Sequence, residues 1–509
     1  MGYRPHTPPT LMLFGYDPVR DLPEDHLARL VELVVEEAKL PRLLAGGRGQ
    51  PAFDPRLCAK ILAYGYATGV RSSRQLERMC NESLPYLFLT RGDTPSYRTL
   101  CSFRIDHSDL LEQVWVQLFA TAGECGMQRL GRIVLDSSKF RADASPEAVV
   151  KAQEYEALLK ELKQILQEAQ EADTQDEQDP PGQTRTGQPV QTEQMRDIVR
   201  RVRKQMSAQA KGKEADPAVH KPLGTRMQPR LEAAIKTLET AQKEGDKFAC
   251  LTDPDARMMG EGREKRIREC HSFEVVVDAD AGLLVLGQTC QSSVDNPRLE
   301  ILVEAAKQQE PDGIMSVDAD SGYYSGDAVG RLISSRIDTC IPDSNTACDL
   351  HRGQPIGTKR QGDQGSVVLV YDKKADLYRC PEGNLLKPSQ RRVPCGQEVT
   401  LYRAEQPCSD CPQKDDCLTQ KNAKHRTVTR GDYAEELEAA RQRFGEPEHQ
   451  DRYHHRGEAV ETVFGFLRST LGYGRWLLRG KERVAHEGRL FKLAYQLRKV
   501  YGKWSLALR

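Results

Sequence analysis

Residues 272–290, SFEVVVDADAGLLVLGQTC, constrain this chain more than any other stretch. Two β-rich runs flank Asp280-Ala281-Gly282, the turn signal of a β-hairpin. The text that follows alternates: a helix over 297–308, a strand at 313–320, a helix near 326–335 and a strand at 338–342. A hairpin followed by alternating helices and strands implies a mixed sheet covered by helices. One further apolar run, GRIVLD at 131–136, reads as a buried strand far upstream.

Between these strands lies a block of different character, which reads as an insertion. Tyr155, Leu158, Leu159, Leu162, Ile165 and Leu166 mark a long amphipathic helix, and residues 146–179 carry ten acids against three bases. A polar loop near 174–192 follows, then 195–213 with seven bases against one acid, then a helix over 229–244. A helical hairpin or coiled coil fits this block. Upstream, residues 20–126 read as helical, with Leu27, Leu30, Val31 and Val34, and Leu57, Ile61, Leu62 and Tyr66, at helical spacing. Within 71–105, Ser72 or Ser73 can cap one helix and Asp93 or Thr94 a second, with Pro95 in its first turn. Two such helices, the second carrying Tyr97, Arg98, Ser102 and Arg104, suit a helix-turn-helix reader of DNA. An ordinary helical bundle with solvated arginines is the plainer reading of the pattern.

The chain has 509 residues, and its 74 Lys plus Arg balance 74 Asp plus Glu, which excludes a uniformly basic surface. No apolar run approaches the roughly 20 residues that span a bilayer, and the N-terminus lacks the pattern of a signal peptide. Fourteen cysteines in a chain of this kind do not read as a disulfide framework. Nine are scattered and read as small buried side chains, whereas five fall between Cys380 and Cys417. The segment 452–509 holds 13 Lys or Arg against four Glu, interleaved with Tyr473, Trp476 and Tyr501, which suits a surface that tracks a nucleic-acid backbone.

Three acids stand where chemistry is possible. Asp136 ends the run Ile133-Val134-Leu135, Asp320 follows the strand at 313–320, and Glu461 lies on a C-terminal helix with Phe464 and Leu467. Carboxylates beside core strands are costly to bury unless cations pair them. Three from separate elements can hold two divalent ions about 3.5–4 Å apart for phosphodiester chemistry, and oxygen ligands favour Mg2+ or Mn2+. Taken singly, each acid reads as a solvated strand end or helix cap.

The surrounding residues, LDSSKFRADAS at Asp136, DADSGYYSGD at Asp320 and YHHRGEAVETVFGFLRSTLGYGRWLLRG at Glu461, together resemble the DDE-type insertion-sequence transposases. The likeness is to the insertion sequence 4 superfamily and its 1182-like branch. Lys139 and Ala144-Ser145 follow the first acid as in that family, and Asp320-Ser321-Gly322-Tyr323 matches its Asp-x-Gly-Tyr motif. Tyr453, Arg456, Glu461 and Arg468 match its Tyr/Arg/Glu/Lys signature, with one residue more before the Glu and Arg in place of Lys. The motif selects Asp320 over Asp318, which shares its strand face. The helical segment 54–105, TDPDARMM at 252–259 and the closing FKLAYQLRKV at 491–500 fit the same family.

The resemblance implies an α/β mixed fold: a ribonuclease-H-like core preceded by an all-α DNA-binding domain, with helical and cysteine-rich insertions. The layout is 1–127 helical DNA-binding domain, 128–145 first core strand, 146–247 helical insertion, 248–344 core, 345–450 cysteine-rich insertion, and 451–509 catalytic helix and basic tail. It also implies that Asp136, Asp320 and Glu461 hold the metal ions. The implied reaction is hydrolysis at the transposon ends, then attack of the freed 3′-hydroxyl on target DNA. Tyr453, Arg456, Arg468 and Lys139 are the expected DNA contacts, beside Arg98 and Arg104 of the helical domain. The partners are double-stranded DNA (terminal inverted repeats and target) and a second copy as a homodimer, in a bacterial cytoplasm at the nucleoid. A metal-dependent nuclease without strand transfer, or an inactive DNA-binding relic, fits the same acids. Separately, Cys408-x2-Cys411-x5-Cys417 with Cys380 upstream resembles a zinc knuckle, in which Cys395 or His425 can replace one ligand of a structural Zn2+. Reduced, unliganded cysteines are the plain alternative.

Overall fold

The computed structural model describes residues 17–39, 52–176, 195–210, 228–261, 266–292, 294–310, 313–357, 367–393, 399–418 and 423–508. The N-terminal 16 residues, most of the polar loop near 174–192, and Cys395 lie outside them. No described helix is long and apolar enough to cross a membrane.

Seven helices come first: α1 (Pro18–Asp21), α2 (Leu27–Glu37), α3 (Pro55–Ala67), α4 (Ser73–Glu82), α5 (Leu84–Thr90), α6 (Tyr97–Asp106) and α7 (Ser108–Glu124). The apolar positions of α2 and α3 are buried as their spacing requires. Between α4 and α6 the expected tight turn is instead a helix, α5, whose Tyr86, Phe88 and Leu89 are buried. Its Leu and aromatic residues carry too little periodicity over seven residues to announce it. Ser96, not Asp93 or Thr94, caps α6, its side chain accepting from Thr99 N–H at 3.2 Å.

The strand that starts at 131–136 does not end at Asp136 but runs on as β1 (Arg132–Arg141). β2 (Val149–Lys151), α8 (Tyr155–Asp176), α9 (Met195–Ala210), α10 (Gln228–Glu244) and β3 (Phe248–Cys250) then form the inserted block. Three helices rather than a hairpin share a core of Leu158, Leu162, Ile198, Val202, Leu231 and Leu238. The block enters and leaves through the β2–β3 ladder, in which Val149 pairs with Cys250. The acidic and basic segments meet here: Arg201 pairs with Glu161 at 2.9 Å, and Arg203 with Glu154 at 2.8 Å.

The chain returns through β4 (Arg257–Glu261) to the hairpin of β5 (Arg266–Asp278) and β6 (Leu284–Cys290), whose turn places Gly282 at φ 64°. Next come α11 (Leu299–Lys307), β7 (Ser316–Asp318), α12 (Gly326–Ser334), β8 (Asp338–Cys340) and α13 (Ser344–His351). The six-stranded sheet runs β4-β5-β1-β7-β8, with β6 beside β4 along the outer edge of β5. β5 is antiparallel to β1 and β6, whereas β1, β7 and β8 are mutually parallel. Alternation along β1 gives the sheet two covered faces. Ile133 and Leu135 pack with Leu299, Leu302 and Val329 on one side, and Val134 and Phe140 face the other.

Residues 345–450 are more regular than their Gly, Pro and Cys content suggests. β9 (Val370–Asp372), β10 (Leu377–Arg379), β11 (Leu385–Arg392), β12 (Val399–Ala404) and β13 (Thr427–Gly431) make an antiparallel meander, with α14 (Lys414–Cys417) between its last two strands. α15 (Ala434–Arg443), α16 (Pro447–Gly465), a π-helical turn over Phe466–Thr470 and α17 (Lys481–Ala507) complete the chain.

α17, with the segment before it, takes two of the tail's three aromatics into the core rather than onto a nucleic-acid surface. It packs against α3, α7 and β6, so one hydrophobic core runs from the N-terminal helices to the sheet. Tyr473 and Trp476 are fully buried, and their rings stack on Phe491 at 4.7 and 4.6 Å. Lys492 is buried beside Glu112 with its ammonium over the Trp115 ring, and Arg489 pairs with Asp109. Among the tail's described bases Lys492 alone is buried, whereas Arg475, Arg479, Lys481, Arg483, Arg498 and Lys503 stay exposed.

Candidate active site

Asp136 sits inside β1 on the face covered by α16, between β5 and β7. The parallel register pairs Val134 with Asp318, so continuing it two residues along each chain sets Asp136 beside Asp320. Burial pushes the Asp136 carboxyl up to about 7. Its hydrogen bond from Ser137 N–H (2.7 Å) pulls the other way, Asp320 adds to the rise and Arg456 opposes it. Asp320 is half-buried just past β7, and its Oδ1 accepts from Gly322 N–H at 2.9 Å, which turns the chain out of the sheet.

The rival Asp318 is occupied. It is buried, and Arg452 of α16 donates to both its oxygens, at 3.0 and 3.1 Å from Nε. Arg452 also bonds Asp338 on β8, which Arg443 of α15 holds from the other side. Asp318 is thus part of a clamp between helix and sheet, and Asp320 is the acid left facing Asp136.

α16 lays its residues across these strands in turn order. Tyr453 lies near Asp320, with the Arg456 guanidinium 4.2 Å from its ring centroid. Arg456 is close enough to Asp136 to stabilise its charge. Farther along, in the π-helical turn, Arg468 donates to the Lys139 carbonyl at 2.8 Å and covers the Phe140 ring. Arg456 and Arg468 therefore bracket Glu461 above residues 136–140 of β1. Glu461 itself is exposed, its Oε1 3.5 Å from where a β-carbon on Gly457 would stand, so it leans toward the turn of Arg456. Among the described residues, no three His, Cys, Asp or Glu side chains converge at metal-ligand distances, so Glu461 does not meet the aspartates here.

A third acid does approach the pair. Asp295 Oδ1 accepts from Ser137 Oγ at 2.7 Å and faces Lys139 Nζ at 3.3 Å, while Lys139 also bonds Ser137 Oγ at 2.6 Å. The Asp295 charge bears on Asp136 and on Tyr323, and its Oδ2 stands 3.5 Å from a β-carbon position on Gly322. Tyr323 is fully buried there, and its hydroxyl makes no well-formed hydrogen bond among the described residues. Sequence reasoning passed over Asp295: in Val294-Asp295-Asn296-Pro297 it reads as a polar turn before a helix, and only the fold brings it to β1.

The helical-domain arginines divide. Arg98 is exposed, its guanidinium near the Tyr97 ring and hydroxyl. Arg104, expected to contact DNA, is instead 5% exposed and bonded to the Tyr66 hydroxyl (2.9 Å) and Ser73 Oγ (3.1 Å). The Phe103 side of α6 is its core face, and the adjacent Arg104 is drawn in by buried polar partners. A cavity of about 570 Å3 adjoins this site rather than enclosing it: Arg132, Val134, Asp318 and Arg456 line it, but Asp136, Asp320 and Glu461 do not.

No curated protein matches the chain. Residues 379–501 match the family model described as "Transposase DDE domain", and residues 17–106 match one described as "Transposase domain (DUF772)". The first contains Tyr453, Arg456, Glu461 and Arg468 and stops short of both aspartates; the second covers α1 to α6. Transposase-family sequence in two separate stretches of the chain supports a DDE transposase.

Proposed function

We propose that the protein is a DNA transposase of the DDE type, in the 1182-like branch of the insertion sequence 4 superfamily, with a ribonuclease-H-like core. One observation carries the reading: Asp136 in β1 and Asp320 just past the end of the parallel β7 are close enough to act on each other's charge, under the helix that bears Tyr453, Arg456 and Glu461. The sheet, an antiparallel hairpin followed by three parallel strands with helices on both faces, supports that core fold.

The aspartate pair suits a divalent cation. Burial and a like-charged neighbour make Asp136 costly to ionise, and a cation held between the two carboxylates would relieve that cost. Asp136, Asp320 and Glu461 are the ligands in this reading, and oxygen donors favour Mg2+ or Mn2+. Such ions, when bound, activate a water or a 3′-hydroxyl and stabilise the leaving oxygen in in-line displacement at phosphorus. The protein's own part is positioning. Arg456, Arg468 and Lys139 hold phosphates of double-stranded DNA along β1, and Tyr453 packs beside the cleaved phosphate. Arg98 extends the contact from the helical domain. Arg468, with a fork of donors, fixes a phosphate's orientation where a lysine would offer a point charge. Pairing two terminal repeats calls for a homodimer on DNA, working at the nucleoid of a bacterial cytoplasm.

The test is a joining assay with magnesium, a labelled fragment carrying the element's terminal repeats and a target plasmid. Joined products are expected from the protein and none from Asp136→Asn. Cleavage without joining would replace this reading with a nuclease, and binding alone with an inactive relic.

A further inference from the structure

We propose that Cys380, Cys408, Cys411 and Cys417 form a structural four-thiolate zinc site that staples the five-stranded meander of residues 370–431. All four side chains line one cavity of about 370 Å3. They arrive from three separate pieces of chain. Cys380 follows β10 in a tight turn, where Gly383 N–H donates to the Cys380 carbonyl at 2.9 Å and Cys380 N–H to Asn384 O at 2.9 Å. That turn needs Gly383 at φ 82°, a conformation side chains disfavour. Cys408 and Cys411 share a second turn, with Cys411 N–H on the Cys408 carbonyl at 3.3 Å. Cys417 ends α14 and is buried. Its thiol is close enough to the other three for each to act on it electrostatically. None of the four is in a disulfide.

The need for a staple is physical. The buried cluster of this module is small, Leu386, Tyr402, Ala404, Cys408 and Leu418, and an antiparallel meander with so small a core is marginal by itself. Binding free energy for a structural zinc is folding free energy, supplied where apolar burial falls short. Four sulfur donors select zinc over the oxygen-seeking ions proposed at Asp136. Three or more ligands do not converge in the structure as it stands. In this proposal zinc draws together the four thiols that line one cavity, for which rotation about χ1 is the available motion. His425 does not line the cavity.

The proposal stands apart from the transposase reading and is tested without DNA. The full-length protein, purified without a metal-affinity step, is assayed for zinc and iron by mass spectrometry. About one zinc per chain is expected, lost in Cys408→Ser/Cys411→Ser and kept in Cys348→Ser, an exposed cysteine outside the cavity. Because the double variant can fail to fold, the wild-type protein is also exchanged into cobalt. The intense sulfur-to-cobalt and tetrahedral ligand-field bands of a four-thiolate site are expected. Substoichiometric zinc after reconstitution, iron in its place, zinc retained by the double variant, or a six-coordinate cobalt spectrum would each overturn it.

Discussion

Asp318 and Asp320 are two residues apart, and their fates differ because of what reaches them. Arg452 spans from α16 to hold Asp318 between β7 and β8, whereas Asp320 has only the backbone of its own turn and the Asp136 carboxyl. Asp318→Asn is therefore expected to lower unfolding free energy by about 3 kcal/mol, the scale of a broken buried ion pair. Asp320→Asn is expected to leave the denaturation midpoint within a degree or so while abolishing DNA joining. The arginines of α6 should separate the same way. Removing Arg104 strands the buried Tyr66 and Ser73 hydroxyls, so Arg104→Ala should cost about 2–3 kcal/mol by chemical denaturation. Arg98→Ala should leave stability unchanged and weaken DNA binding in a salt-dependent manner. Equal stability losses at 98 and 104 would contradict the burial pattern. Asp295 adds a further residue-scale expectation. Asp295→Asn weakens its hold on Lys139 and removes a like charge from Asp136, so the Asp136 carboxyl of the metal-free protein should titrate lower, as read by carbon-detected NMR.

The decisive element is α16, which both clamps the sheet and carries the Tyr/Arg/Glu residues. Its first turns rest on His449, whose ring packs edge-on against Phe444 at 4.6 Å. Burial, then the charges of Arg443 and Arg452, hold the His449 pKa down to about 4, below its ordinary value near 6.5. The unfolded chain binds this proton first, so the stabilising contribution is present above pH 6.5 and is lost as pH falls toward 4. His449→Phe should flatten that part of the stability–pH curve, measured as the difference in thermal midpoint from the parent protein at pH 7 and pH 4.5. A curve that stays parallel to the parent would exclude this origin. The helix was partly legible from its text: Val460, Phe464 and Leu467 announced a core face. Its start at Pro447 was not, because polar residues 448–459 meet the sheet through ion pairs and a buried histidine rather than an apolar stripe. The same cause hid α5 and the meander, whose short segments lack the periodicity on which such reading depends.

At the scale of the whole molecule, zero net charge arises from local opposites that the fold brings together. The acidic α8 and basic α9 face each other inside the insertion, and α17 sets Arg489 and Lys492 against Asp109 and Glu112 of α7. The insertion has its own core and meets the rest through one short ladder, so replacing residues 152–247 by a two-residue turn should leave a folded protein. Its cooperative unfolding transition would be retained, with a midpoint within a few degrees of the parent; loss of cooperativity would show that the block shares the main core. No such excision is open to α17, which joins the N-terminal helices to the sheet through one continuous core.

The sequence by itself determined the order of the pieces: a helical start, an isolated strand, an interruption, a hairpin and alternating elements. It offered Asp136, Asp320 and Glu461 as candidates only through the motifs around them, which resemble those of a known family. Tertiary structure alone decided which charges face one another. Asp318 and Asp320, Arg98 and Arg104, and the aromatics of the tail have similar local text, and Asp295 has none that marks it. Burial and ion pairing are set by partners hundreds of positions away, as with Arg452 on Asp318 and Phe491 on Trp476. In a folded chain the free energy of a charge depends on what surrounds it in space, and adjacency in sequence specifies only a small part of that surrounding.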